Sequence, residues 1–257
     1  MKVIILCGGL GTRLREETEF RPKPMVPIGE RPILWHIMKT YAHYGHKDFV
    51  LCLGYKGEII KDYFRNYHWN TSDVTLRLGR QPKITYHSTH GEEDWTVTLV
   101  DTGLETMTGG RLRRALRFIQ EDDFLMTYGD GLINSDINAS IRFHQEHGAV
   151  ATLTAVQPVG RFGALTLQGS SVAEFKEKPE RETHFISGGF FVFKKAIGSY
   201  LDGDDCVLER KPMEALARAG QLRAFAHTGF WQCMDTYREM EILNKMWTEG
   251  NASWRVW

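Results

Sequence analysis

Apolar positions along the chain fall into two kinds of run. Val3 to Leu6, Asp48 to Leu53, Phe124 to Thr127 and Val150 to Val156 are short β-branched or aliphatic stretches without alternation, the pattern of strands buried on both faces of a sheet. Between them apolar residues recur at helical spacing. Ile33, Trp35, Ile37 and Tyr41 predict a helix opening at Pro32, where a missing N–H costs nothing, and closing at Gly45. Ile59, Ile60, Tyr63 and Phe64 predict a second helix over 57–67. Later helices are expected from about Gly110 to Gln120 with Thr106 or Thr108 as cap, from an Asp136 cap to His147, over 207–219, and from Thr236 to about Glu249. Trp95 to Asp101 alternates as a strand, and Leu222 to Ala226 predicts a short one.

Strand and helix alternating from the N-terminus predict an α/β fold: a Rossmann-like, doubly wound, mostly parallel central sheet with helices on both faces. Residues 68–95 break the rhythm with polar, turn-rich sequence around a strand at Val74 to Leu78, and predict an inserted flap or subunit contact. From Pro158 the pattern turns to short strands and turns, a small β-rich part. The expected organisation is one domain over 1–257, with a nucleotide-type part over 1–157, a second part over 158–236, and a closing helix and tail over 237–257. The tail's Trp254 and Trp257 predict docking on the core or on another subunit.

Composition narrows the function classes. The 257 residues carry 32 Lys plus Arg against 32 Asp plus Glu, so nothing predicts a nucleic-acid or membrane surface. The four cysteines (Cys7, Cys52, Cys206, Cys233) are scattered and form no metal or redox pair; Cys7 and Cys52 read as buried thiols. The apolar start is too short for a signal peptide and no stretch is long enough to span a bilayer, which predicts a cytoplasmic protein. His87 and His90 read as loop residues, and His144 and His147 as surface residues of an amphipathic helix. The acidic turn at Asp202, Asp204 and Asp205 reads as a loop and helix cap.

The chemistry concentrates where the first strand ends. Leu6-Cys7-Gly8-Gly9-Leu10-Gly11-Thr12-Arg13-Leu14 brings three glycines directly after a buried strand, so the backbone turns tightly and its amides face an anion without intervening Cβ atoms. Arg13, Arg15, Arg21 and Lys23 add cations on either side, and the whole predicts a polyphosphate site. A Walker loop is excluded because no Gly-Lys pair occurs, and a dinucleotide fingerprint fails at Leu14. Asp130, between Gly129 and Gly131, lies just past a predicted strand end, the edge where open α/β sheets bind ligands.

The glycine stretch followed by Pro22-Lys23-Pro24-Met25 resembles the double signature of the sugar-1-phosphate nucleotidyltransferases. The resemblance extends from Val3 to Thr236. It implies nucleotide contacts from Leu6 to Arg13, Lys23, Thr108, Gly109, Gly110, Arg111 and Gly129. It implies sugar-phosphate contacts from Gly163, Glu177, Lys178, Ser187 and Gly188. Mg²⁺ would be held by Asp130 and Asp235, although Trp231 and Asp235 stand further apart than the matching pair in many members. Arg13, Lys23, Asp130 and Asp235 are the implied catalytic set. The implied substrates are CTP and α-D-glucose 1-phosphate, and the implied assembly is a homo-oligomer, tetramer or hexamer.

Overall fold

The computed structural model describes residues 1–87, 94–158, 164–176 and 184–257. Seven strands form the central sheet: β1 (Lys2–Leu6), β2 (Asp48–Leu53), β3 (Thr96–Asp101), β4 (Asp123–Tyr128), β5 (Ala151–Val156), β6 (Ile186–Lys194) and β7 (Leu222–His227). Their spatial order is β7-β5-β6-β4-β1-β2-β3. Only β6 runs against its neighbours β4 and β5; the other pairings are parallel. The C-terminal ends of β1, β2, β3 and β4 therefore open on one edge, where the glycine loop begins.

Each central strand feeds two cores, which is why its sequence shows no alternation. Val3, Ile5, Phe49, Leu51 and Leu125 pack on one face against α1 (Ile33–His43), α2 (Gly57–Arg65), α4 (Ile137–His147) and α6 (Tyr237–Thr248). Ile4, Leu6, Val50, Cys52, Phe124 and Met126 pack on the other against Leu112 and Ala115 of α3 (Thr108–Ala115) and Leu216 of α5 (Lys211–Arg218). Burying one such aliphatic side chain contributes about 1.5–3 kcal/mol, so continuous strands of this kind are strongly committed to the centre of a three-layer fold.

Two helix starts have the side-chain caps expected of their sequences. The Asp136 carboxylate accepts from Ala139 N at 2.9 Å. Thr236 and Glu239 form a reciprocal capping box, and the tail docks with Trp254 fully buried in the first core. Other expectations need correction. Neither Thr106 nor Thr108 caps α3, whose N-cap is Met107, because the amides of Gly109 and Gly110 donate instead to the carbonyl of Cys206. The acidic turn caps no helix; Asp204 pairs with Arg114 at 2.5 Å, and α5 starts at Lys211 rather than at 207. Nor is His144 a surface residue. Its ring is fully buried, with Nδ1 2.8 Å from the Thr152 hydroxyl of β5 and Nε2 3.7 Å from an Asp123 oxygen. A helix residue on the inner face tolerates a polar ring where the sheet behind it supplies polar partners.

The break at 68–95 contains a short helix, Tyr67–Thr71, and an antiparallel hairpin of Val74–Arg77 with Lys83–Tyr86. Leu76, Ile84 and Tyr86 are exposed on it, and His90 lies outside the described residues.

Candidate active site

The cationic and anionic groups meet because three chain segments end at the same place. The first is the turn after β1. Gly11 adopts φ +65°, and a Cβ there would lie 2.7 Å from Thr18 Cγ2, so both torsion and space require glycine. Second, Pro22 and Pro24 bracket Lys23 in a single turn of 3-10 helix, fixing its backbone beneath the glycine loop. Third, β4 ends at Tyr128; the amide of Gly129 then donates to Leu6 O at 3.0 Å, and Asp130 follows.

Asp235 reaches the site through a short ladder. Gly131–Ile133 pairs antiparallel with Trp231–Cys233, Gly131 opposite Cys233. Met234 N then donates to Asp130 O at 2.8 Å, which sets the two aspartates side by side. The longer interval between Trp231 and Asp235 is thus taken up by a β-strand.

Lys23 Nζ lies 2.6 Å from Asp130 Oδ2 and 2.6 Å from Asp235 Oδ1, while Arg13 Nη1 lies 2.8 Å from Asp235 Oδ2. Two carboxylates are therefore matched by two cations. Burial alone would lower the Lys23 pKa, but the Asp130 charge and the hydrogen bonds to both aspartates outweigh it and hold the ammonium above its ordinary value. Asp235 shows the converse: burial would raise it, and its bond to Lys23 with the charges of Lys23 and Arg13 brings it below the usual carboxylate range.

A cavity of about 620 Å³ opens beside this cluster. Leu6 to Arg13, Lys23, Thr108, Arg111, Gly129 and Asp130 line it, with the 104–107 loop and Tyr128 opposite the glycine turn. Gly109 and Gly110 do not reach it; they pack on the backbone of residues 204–206, where a Cβ on either would approach within 2.9 Å. Ser187 and Gly188 do not line this cavity; they open β6, where Gly188 O accepts from Trp231 Nε1 at 2.8 Å. Gly163, Glu177 and Lys178 lie outside the described residues.

Arg111 departs from the picture of a cation offered to a ligand. It is 4% exposed, and its guanidinium donates to Leu53 O, Thr102 Oγ1, Gly103 O, Gly8 O and Leu104 O at 2.7–3.1 Å. It ties the glycine turn to the ends of β2 and β3 and to the loop that follows. Arg21 likewise faces Glu17, 3.6 Å away.

Tyr128 and Glu209 carry a wall of the cavity that sequence reasoning missed. Glu209 accepts from the Tyr128 hydroxyl and, at 2.6 Å, from Thr108 Oγ1. Nothing in the pattern around Glu209 marks it, since its partners lie far away in the chain.

Among the described residues, one cluster of three metal-type donors stands close together, Cys233, Asp235 and Glu239. It does not suit a metal. The Cys233 thiol is a soft donor ill matched to a hard cation, and Glu239 Oε2 already accepts from Asp235 N and Thr236 N. The Asp130 and Asp235 oxygens fit better: they are hard donors and converge on one cationic nitrogen, the arrangement a Mg²⁺ ion with few protein ligands demands.

A family model described as Nucleotidyl transferase matches residues 2–216. The chain is 51% identical to a glucose-1-phosphate cytidylyltransferase of Salmonella typhi over 258 residues, covering 100% of each. It is 43% identical to a probable glucose-1-phosphate cytidylyltransferase of Bacillus subtilis over 265 residues, again covering 100% of each. Among solved structures, UDP-glucose pyrophosphorylase from Acinetobacter baumanii superposes with a TM-score of 0.72 at 16% identity, covering 98% of this chain and 95% of that one. HddC from Yersinia pseudotuberculosis gives 0.70 at 22% identity, with 96% and 99% covered. These two likenesses bear on the fold alone.

Proposed function

The chain belongs to the nucleotidyl transferase family, and from that premise we propose that it forms CDP-glucose and pyrophosphate from CTP and α-D-glucose 1-phosphate. The observation that carries the reading is the convergence of the glycine turn, Arg13, Lys23, Asp130 and Asp235 beside one cavity. The relatives carry the choice of substrates, since both cytidylyltransferases match over their whole length.

The chemistry follows from charge. A sugar phosphate has a second pKa near ~6, so at neutral pH it is already a nucleophilic dianion and needs no general base. The barrier is its repulsion from a triphosphate. The glycine-turn amides and the exposed Arg13 guanidinium, which border the cavity, would take the β- and γ-phosphates. Lys23 would bridge the α-phosphate and the entering sugar phosphate, holding the attacking oxygen in line. Asp130 and Asp235 would hold Mg²⁺, which supplies charge neutralisation on the nucleotide phosphates. Arg111 fixes the loop that carries the amides, and Tyr128, Glu209 and Thr108 hold the opposite wall rigid.

Incubating the protein with glucose 1-phosphate, Mg²⁺ and each of CTP, UTP, dTTP, GTP and ATP, with pyrophosphate release as readout, tests the reading. CTP should give the highest kcat/KM. A preference for another nucleotide would reassign the base, and no release with any would remove the enzyme reading. The expected homo-oligomer is part of the same proposal; the exposed Leu76, Ile84 and Tyr86 of the hairpin support it, and sedimentation equilibrium measures it.

A further inference from the structure

Lys23 Nζ occupies the point on which Asp130 Oδ2 and Asp235 Oδ1 converge, at 2.6 Å from each. A divalent ion held by both oxygens needs that point too, and two cations placed side by side repel each other. The ammonium cannot drift away unaided. Its side chain is 11% exposed, its backbone is bracketed by Pro22 and Pro24, and a position off the carboxylates would leave a buried charge unpaired. An anion on the cavity side, where Lys23 also lines the wall, would give it a second partner.

We infer that Lys23 is a built-in countercation for the Asp130–Asp235 pair, and that the pair takes up a divalent ion only as an anionic nucleotide draws the ammonium off it. The inference rests on the reading of these aspartates as metal carriers. Because binding linkage is reciprocal, nucleotide and divalent ion must then raise one another's affinity by the same factor.

Mn²⁺, read by water-proton relaxation, is titrated into the full-length protein without nucleotide, as wild type, Lys23→Met and Arg13→Ala. Wild type should bind weakly and Lys23→Met about tenfold more tightly or better, because a competing positive charge has gone. Arg13→Ala should move the affinity less, since Arg13 touches only the outer oxygen of Asp235 and is exposed. CTP should tighten Mn²⁺ binding more in wild type than in Lys23→Met, because its phosphates ligate the ion in both proteins and only wild type has an ammonium to draw off the carboxylates. Equal Mn²⁺ affinity in wild type and Lys23→Met without nucleotide, or a rise in Arg13→Ala as large as in Lys23→Met, overturns the inference and leaves the metal reading standing. Absence of Mn²⁺ binding in every protein, with and without CTP, overturns both. Should Lys23→Met fail to fold, Lys23→Gln replaces it. The wild-type arm can also refute alone: tight Mn²⁺ binding without nucleotide overturns the inference.

Discussion

Met234 N donates to the carbonyl oxygen of Asp130 at 2.8 Å, and this one backbone bond places the second carboxylate of the site. It closes the ladder between Gly131–Ile133 and Trp231–Cys233, so Asp235 emerges directly beside Asp130 although the two are widely separated in sequence. The alignment also explains why Lys23 can touch both.

Asp235→Asn should therefore act on the metal requirement. The amide keeps the shape but halves the charge that the pair offers, and a neutral oxygen is a poorer ligand for a hard divalent ion. The Mg²⁺ concentration for half-maximal turnover should rise by about tenfold or more, measured as pyrophosphate release against MgCl2 at saturating CTP. An unchanged requirement would move the ligand elsewhere.

Lys23→Ala should reduce kcat by ~100-fold or more, as removal of a charge aimed at developing phosphate charge does. It should also destabilise the fold, because it leaves Asp130 and Asp235 facing each other. The cost should be about 1–3 kcal/mol, below that of a fully buried pair since Asp130 is 29% exposed. Urea denaturation together with single-turnover rates separates the two effects, and a normal rate in folded protein would take Lys23 out of the mechanism.

The same cluster fixes a pH dependence. Asp235 has its folded pKa depressed, so its stabilising contribution is complete above the unfolded value near ~4 and is lost as pH falls through the folded value. Lys23 has its folded pKa raised, so its contribution is complete below about pH 10 and is lost only as pH climbs through the folded value. The Tm difference between wild type and Asp235→Asn should stay constant from roughly pH 5 to 8 and shrink toward pH 3. A difference that grows on acidification would contradict the sign.

What could be read from the chain and what could not divide by how local the physics is. The glycine turn, Lys23 between its prolines and Asp130 between its glycines are contiguous patterns whose torsional demands are visible residue by residue. The two-faced strands are equally plain, since Ile4 and Ile5 both have to be apolar when both faces of β1 are covered. Long-range partners left no such trace. Glu209 supports Thr108 across 101 residues, and the Cys206 carbonyl replaces the threonine cap on α3, so local propensity at that helix start pointed to the wrong group. His144 follows the same rule: its polar character suggests solvent, while Thr152 and Asp123 arrive from the sheet. The resemblance implies a nucleotide contact at Arg111, while five acceptors from three separate segments hold its guanidinium at the edge of the cavity.

That clamp yields the remaining prediction. Arg111→Met keeps the aliphatic stem but removes five hydrogen bonds. Gly8 O keeps Tyr55 N and Leu53 O keeps Thr102 N and Oγ1, so the half-buried carbonyls of Gly103 and Leu104 lose their partner, at about 1–3 kcal/mol for each acceptor left unsatisfied. Some will recover by admitting water, so a net loss of about 2–4 kcal/mol is expected. For a chain of this size that is a fall of roughly 4–16 °C in Tm. Arg111→Lys should rescue little, because one ammonium cannot span acceptors arranged around a planar fork. The activity readout tells a clamp from a ligand. A residue that only shapes the glycine turn should raise KM for CTP and leave the KM for glucose 1-phosphate nearly unchanged, and Gly8→Ala should reproduce that pattern, since its new Cβ would lie 2.0 Å from the Arg111 guanidinium. If Arg111→Met lowers kcat sharply with Tm and both KM values intact, Arg111 touches the reacting phosphates and the clamp is not its main work.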